Sequence, residues 1–383
     1  MSKNLSLTSV PEPSDPAPTD LQLSLFSGWH SKNPDHSRTL DFFDSLPKFS
    51  LTHTRAVKKA SILRFDDVQI AGHRVAVSIA PAIIAAKGVK KSKSPASEED
   101  AKLIFPGVRE ELVEMAIRKL AVQQTVSTGL HVGRQTGTHI IRVMFTLSQL
   151  RQELTSAGHS LMLSQIREAL EVLSRAVLTV EAEHDRTIHG MAGPILQNLR
   201  RQQPKSDVDG TRSYISVDYH PLATKAIIDQ AYKPINYTRV MRVGLPLARW
   251  IITRMSQRYR QASRQDVVEG RGYILTLSRV LAESGITAEE RQRNTVDRVR
   301  QALKELKEQG FLHPMKPYDE RPVYERTKGR PKIVEMEWKL YPSGTFVGEI
   351  VEGNIEMKNV RGVEGAKVRR LVAEKEKVRR GRA

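Results

Sequence analysis

Apolar residues recur at helical spacing from Val108 onward, and the pattern then changes to short runs rich in β-branched residues. A period near 3.6 residues predicts a helix, whereas short β-branched runs bounded by turn residues predict strands. The predicted segments of the first half are strands 63–70 and 73–84, helix 107–124, strand 139–146, helices 146–158 and 160–176, and strand 177–183. From the first helix onward, this order is typical of a winged helix.

The same order of elements returns in the second half of the chain. The predicted segments there are helix 245–262, strand 272–278, helices 278–285 and 289–310, and strands 311–315 and 332–342 joined by a basic loop over 316–332. That last hairpin would be the wing. We therefore predict an α+β fold of two tandem winged-helix domains with a disordered N-terminal region and a basic C-terminal tail.

The predicted domain boundaries follow changes in composition. Residues 1–20 carry four prolines and no hydrophobic period, which is typical of disorder, and residues 30–60 suggest a loosely anchored arm. Residues 367–383 hold eight Lys and Arg against two Glu. The predicted domains are a mostly disordered N-terminal region (1–60), a first winged-helix domain with preceding strands (61–235), a second winged-helix domain (236–345) and a basic tail (346–383).

The net charge of the chain indicates which class of partner it binds. Lys and Arg number 61 against 43 Asp and Glu, a formal net charge of +18, which attracts polyanions. An anionic membrane is the rival to nucleic acid, but the sequence has no apolar run of the ~18 residues that a spanning helix needs. The absence of cysteine excludes disulfides and thiolate metal sites. We expect a cytoplasmic protein that binds nucleic acid and no membrane.

The second helix of each helix pair is the candidate recognition helix, because a helix fits the major groove of double-stranded DNA. Burial of the apolar stripe Leu163, Ile166, Leu170 and Leu173, or of Val296, Val299, Leu303 and Leu306, leaves polar residues available on each helix. A solvated helix face is the alternative for any single residue. The predicted DNA-binding residues are Ser164, Gln165, Arg167 and Arg175 in the first domain, Arg291, Arg293, Asn294, Arg298 and Lys304 in the second, and Arg326, Lys328 and Arg330 in the wing.

A short peptide near the N-terminus gives the sharpest local signal. The segment Gln22-Leu23-Ser24-Leu25-Phe26 offers one amide for a polar anchor and apolar side chains for a preformed pocket. It is similar to the peptide with which bacterial polymerases and their partners bind the sliding clamp. The alternative is an amphipathic segment that folds back onto the core of its own protein.

Catalytic motifs are not evident in the sequence. The segment from Gly133 to Gly137 lacks the Gly-Lys-Ser/Thr ending of a P-loop, so it is interpreted as a turn between a helix and a strand. His184 and His189 lie near Glu181, Glu183 and Asp185, but the sequence shows no matching ligand cluster elsewhere. The His-hydrophobic-His triplet of a rolling-circle nickase is missing too. We expect no enzymatic activity, no cofactor and no metal site.

These features together resemble the replication initiators of broad-host-range IncP-type plasmids. The resemblance runs from the clamp peptide through 145–154 and its following helix to 247–250 and 303–311, and covers most of the chain loosely. It implies binding to repeated origin sites (iterons), local melting of the duplex, and recruitment of the host helicase and clamp. The host initiator and a second copy of the chain are further candidate partners. The chain departs from the family in its basic tail, its long wing and its loop 184–209.

A transcriptional regulator with tandem winged helices is the main alternative function. It would account for the charge and for both recognition helices but gives the clamp peptide no role. An enzyme acting on DNA would need a metal or nucleotide site that the sequence does not show.

Overall fold

Helices and antiparallel strands alternate along the chain in a computed structural model. The structure describes residues 29, 31, 33–51, 56–57, 61–70, 73–85, 101–123, 129–135, 138–182, 190–202, 214–258, 272–286, 292–325 and 332–359. This mixture of elements confirms the predicted α+β class.

The elements are numbered in chain order. The helices are α1 (Val108–Gln123), α2 (Leu147–Ser156), α3 (Leu163–Arg175), α4 (Pro221–Ile228), α5 (Tyr237–Arg242), α6 (Pro246–Arg258), α7 (Leu277–Glu283), α8 (Gln292–Glu308) and α9 (344–359). The strands are β1 (His36–Leu40), β2 (Ala56–Val57), β3 (Leu63–Ile70), β4 (His73–Ala80), β5 (Ala82–Ala85), β6 (Ala101–Ile104), β7 (Gly129–Gln135), β8 (Thr138–Thr146), β9 (Val177–Ala182), β10 (Met191–Pro194), β11 (Leu196–Gln202), β12 (Tyr214–Tyr219), β13 (Tyr232–Asn236), β14 (Tyr273–Thr276), β15 (Tyr318–Glu325) and β16 (Lys332–Leu340).

The second unit has the winged-helix arrangement that its sequence predicts. Its elements run α6, β14, α7, α8, β15 and β16, and the three strands form an antiparallel sheet in the order β14-β16-β15. The predicted apolar stripe of α8 is buried against α6 and this sheet, around Trp338. The helix-turn-helix α7–α8 and the wing β15–β16 therefore rest on one hydrophobic core.

The first unit keeps the order of elements but distributes its strands over two sheets. Strand β8 pairs with β7 and β12 in a sheet of order β11-β12-β8-β7, whereas β9 lies in a sheet of order β10-β9-β4-β3. Because both edges of β8 are already occupied, β9 pairs instead with the β3–β4 hairpin. Helix α2 begins with a capping box, in which the Thr146 and Gln149 side chains accept each other's backbone N–H groups.

Three segments interpreted as turns or loops contain strands, and one of them, the predicted loop 184–209, contains β10 and β11. Gly133 lies in β7, and all of β7 from Gly129 to Gln135 pairs antiparallel with β8. The predicted turn therefore connects two strands and not a helix and a strand. Strand β15 lies within the segment predicted to be the wing loop, while 311–315 contributes only the bridge between Leu312 and Pro342. The residues of β15 are mostly exposed, so they lack the alternation of apolar and polar residues that identifies a strand.

The arm before residue 60 is more ordered than predicted. Strand β1 pairs with β13, and Trp29, Leu40 and Phe43 are fully buried in the core of the first unit. The prediction of a mostly disordered region over 1–60 is therefore corrected for the described residues 33–51. Charged groups such as Asp44 are buried in the arm beside these apolar side chains, and this mixture leaves no hydrophobic period in the sequence.

Helix α9 occupies the start of the segment predicted to be the basic tail. Phe346 and Ile350 are buried in the core of the second unit, and Met357 is buried in the core of the first. The Glu349 carboxylate lies 2.6 Å from Nη1 of Arg239, and the Glu356 carboxylate lies 2.8 Å from Nη2 of Arg38. The predicted boundary at residue 346 is thus corrected, because α9 packs against both units.

Candidate nucleic-acid interface

The N-terminal end of α3 is exposed to solvent in the first helix-turn-helix. Ser164 and Arg167 are exposed there, and Met162, just before the helix, is 64% exposed. The Gln165 side chain accepts a hydrogen bond from the backbone N–H of Met162 at 2.8 Å. Gln165 therefore caps the start of the helix, a role that the sequence interpretation did not give it.

The C-terminal half of α3 is engaged with the rest of the protein. Nη1 of Arg175 donates to the backbone carbonyl of Ile83 in β5 at 2.9 Å, and its Nη2 lies 2.9 Å from the Glu171 carboxylate. Val172 and Ala176 are buried beneath β5 and β6. The structure thus places Arg175 at the end of α3 far from Ser164 and Arg167, where its guanidinium anchors a neighbouring strand.

Helix α8 presents a longer polar face than α3. Arg293, Asn294 and Lys304 are exposed as the sequence predicted, and Arg298 is half-buried. Arg300 is also exposed and lies on the same side of the helix as Arg293, seven residues away. The predicted residues Arg291, Arg326, Lys328 and Arg330 lie outside the described residues.

Charge is unevenly distributed along the wing. The sequence between β15 and β16 contains the three predicted wing cations, whereas the two strands carry five carboxylates. Those carboxylates belong to Asp319, Glu320, Glu325, Glu335 and Glu337. Along the sequence of the wing, the net positive charge therefore lies between the two strands.

One ion pair joins the recognition helix to the wing. Nε and Nη2 of Arg300 donate to the Glu320 carboxylate at 3.0–3.3 Å, and the buried indole N–H of Trp338 donates to the same carboxylate at 2.9 Å. Burial would raise the pKa of Glu320, but the hydrogen bonds from Arg300 and Trp338, together with the charge of Arg300, hold that pKa below its usual value. The sequence interpretation missed this pair because Glu320 falls in a segment predicted to be loop.

Several other predictions concern residues or sites beyond this interface. The clamp peptide Gln22–Phe26 and the segment 360–383 lie outside the described residues, as do 184–189 and 203–209 of the predicted loop 184–209. Among the described residues, no group of three or more His, Asp and Glu side chains is placed to hold a metal ion. Within the same residues, no helix combines the length and apolar character needed to cross a bilayer.

Two solved structures that are similar to this chain both contain domains 2 and 3 of RctB. One gives a TM-score of 0.42 at 11% sequence identity and covers 82% of this chain and 99% of that chain. The other, of RctB residues 155–483, gives a TM-score of 0.38 at 12% sequence identity. It covers 79% of this chain and 97% of that chain. No protein-family model and no curated protein sequence matches the chain. Because the identities and scores are this low, the function is inferred from the residues of the chain itself.

Proposed function

We propose that this protein binds double-stranded DNA through α8 and the wing of its second unit and serves as a plasmid replication initiator. The observation that carries the DNA-binding part is the exposed polar face of α8, which begins with Arg293 and Asn294 in a helix-turn-helix followed by a wing. The net charge of +18 supplies the general attraction to phosphates. The proposal includes no catalytic step and no cofactor.

The position of each side chain along α8 suggests its role. In helix-turn-helix proteins the N-terminal residues of the second helix meet base edges in the major groove, and more distant cations contact phosphates. Arg293 and Asn294 therefore suit base recognition, and Lys304 suits backbone contact. Arg167, at the start of α3, would give the first unit a smaller contact with the neighbouring DNA.

Substitutions on α8 are expected to separate these two roles. Arg293→Ala or Asn294→Ala should lower discrimination between the cognate site and single-base variants by about 1–3 kcal/mol, since a bidentate base contact is lost. Lys304→Ala should weaken binding to all sequences about equally and reduce the slope of log K against log salt by about 1. Binding measured across a panel of single-base variants at two salt concentrations would check both.

The first unit supplies the matched comparison for that experiment. Arg167→Ala should weaken binding to a full repeat but spare a shortened site that only the second unit covers. A uniform loss for all of these variants would mean that neither helix contacts bases, and that the protein recognises DNA shape instead.

The initiator part of the proposal rests on the family resemblance and on the peptide Gln22–Phe26. We propose that the protein binds iterons, promotes opening of the origin, and brings the host clamp and helicase to it. The host initiator and a second copy of this chain are further proposed partners. Direct repeats beside an AT-rich stretch in the neighbouring DNA would support this function over a transcriptional regulator.

Clamp binding gives the sharper biochemical test. A peptide covering residues 20–29 should bind the bacterial sliding clamp with modest, micromolar-scale affinity, because a short flexible segment loses entropy when it orders. Phe26→Ala in the full chain should abolish capture by the clamp and leave DNA affinity unchanged. If neither the peptide nor the full chain binds the clamp while DNA binding persists, the regulator is the better assignment.

A further inference from the structure

The ion pair between α8 and the wing involves a cation that would otherwise face DNA. Arg300 lies between Arg293 and Lys304 on the exposed side of α8, and its side chain is 46% exposed. Its guanidinium nevertheless directs Nε and Nη2 toward the Glu320 carboxylate. A cation in the position of a phosphate contact is thus already paired within the protein.

The pairing is better defined than an ordinary surface ion pair. The Glu320 side chain is 25% exposed, and the Trp338 indole, itself fully buried, holds the carboxylate with a hydrogen bond of 2.9 Å. Arg300 makes a two-nitrogen contact, which favours one orientation of its planar group. On the helix, Asp297 also approaches Arg300, at 3.5 Å.

We propose that Glu320 is a positioning residue that restrains Arg300 and thereby limits the binding of the second unit to arbitrary DNA. This inference rests on the proposed DNA-binding function. A phosphate must displace Glu320 before it can pair with Arg300, and the carboxylate itself repels the phosphate. Base contacts from Arg293 and Asn294, which arbitrary sequences do not satisfy, then account for a larger share of the affinity for the cognate site.

Glu320→Gln is the variant that tests the restraint. The amide oxygen can still accept the hydrogen bond from Trp338, but the charge that holds Arg300 is gone. We expect the affinity for scrambled duplex DNA to rise about threefold to tenfold, and the slope of log K against log salt to steepen by about 1, as for one added phosphate contact. Affinity for the cognate site should rise less, so that the specificity ratio falls.

Asp319→Asn is the matched control on the same strand. It removes an equal charge from the neighbouring position, where Asp319 lies 3.2 Å from Nζ of Lys316 and accepts a hydrogen bond from the Tyr341 hydroxyl at 2.6 Å. Since neither of these partners belongs to α8, we expect little change in DNA affinity. An equal gain for E320Q and D319N would overturn the proposal, because the effect would then be one of net charge.

Arg300→Ala, alone and combined with E320Q, completes a double-mutant cycle. Alone it should change the affinity for scrambled DNA little, whereas in the E320Q background it should remove the whole gain. A gain that persists without Arg300 would overturn the proposal. Thermal unfolding of each variant checks the fold, and if E320Q does not fold, Glu320→Asp, whose carboxylate is one methylene shorter, is expected to show a smaller gain in the same direction.

The two hypotheses fail in different ways. If the unmodified protein binds no duplex DNA, the proposed function is wrong and the restraint has no role. If it binds DNA specifically and E320Q behaves like the unmodified protein on scrambled duplex, only the restraint is wrong.

Discussion

Replacing Asp44 with alanine is expected to lower the free energy of unfolding by about 3–5 kcal/mol. The Asp44 carboxylate pairs with Arg118 and with Lys48 in the buried interior, and it accepts a hydrogen bond from the backbone N–H of Leu40 at 2.7 Å. Arg118 also pairs with Glu114, so the four charges balance. Removing Asp44 leaves one net positive charge buried, and the desolvation of that charge is no longer offset.

The pKa of Asp44 fixes the pH range of this effect. Burial alone would raise the pKa, but Arg118 and Lys48 outweigh it and hold the pKa well below its usual value. A lowered carboxyl pKa stabilises the folded state above the pKa of the unfolded residue, about 3.9. The contribution of Asp44 should therefore be complete at neutral pH and decline as the pH falls below about 4.

A matched control separates this buried pair from surface pairs. Asp67 lies 2.9 Å from Nε of Arg74, and both side chains are well exposed, so Asp67→Ala should cost at most about 1 kcal/mol. Urea unfolding at pH 7 measures both variants. A loss for Asp44→Ala no larger than that for Asp67→Ala would show that the arm contributes little to the folded state.

Gly285→Ala is expected to cost more than the equivalent change in the first unit. Gly285 follows α7 with a φ of +85°, and Gly158 follows α2 with a φ of +91°. Each substitution places an L residue in the left-handed region, at about 1–2 kcal/mol. A Cβ on Gly158 would enter open space, whereas one on Gly285 would overlap the backbone carbonyl of Phe49 in the arm. That overlap should add roughly 1–3 kcal/mol.

The difference between the two glycine variants reports on the contact between the arm and the second unit. The backbone N–H of Leu51 donates to the carbonyl of Gly285 at 3.1 Å, so the chain at Phe49 cannot withdraw without losing that bond. Chemical unfolding of both variants gives the two costs. Equal costs would mean that the arm yields freely and is not held against the α7–α8 turn.

Elements with a hydrophobic period could be predicted from the sequence, and elements held by polar contacts could not. The stripe from Val296 to Leu306 identified α8 and its buried side. Strand β15 is solvated on most of its length, and the arm buries polar and charged side chains such as Arg38 and Asp44 beside its apolar ones, so neither produces a period. The first unit is split into two sheets because several strands compete for the edges of β8. The outcome of that competition depends on segments far apart in the sequence, so it could not be predicted from the pattern of any one segment.

The candidate site shows the same division. The exposed face of α8 follows from helical geometry alone, and its predicted residues Arg293, Asn294 and Lys304 are exposed. Arg175 donates a hydrogen bond to the carbonyl of Ile83, which is 92 residues away in sequence. Arg300 donates to the carboxylate of Glu320, which lies in a strand that the sequence pattern did not predict. Contacts between distant segments decide whether an exposed cation is available, and one sequence does not specify them.

The crossing of α9 over both units limits how this protein could be re-engineered. Pro234 lies so close to Gly353 that a Cβ there would be 2.8 Å from Cγ of the proline, and Met357 is buried in the first core although it follows the second unit in sequence. Cutting the chain between the units would remove from each hydrophobic core the residues that belong to the other half of the chain. Exchanging the second recognition domain for one of different specificity would therefore require grafting α8 and the wing onto the existing scaffold, and not replacing the C-terminal half as a cassette.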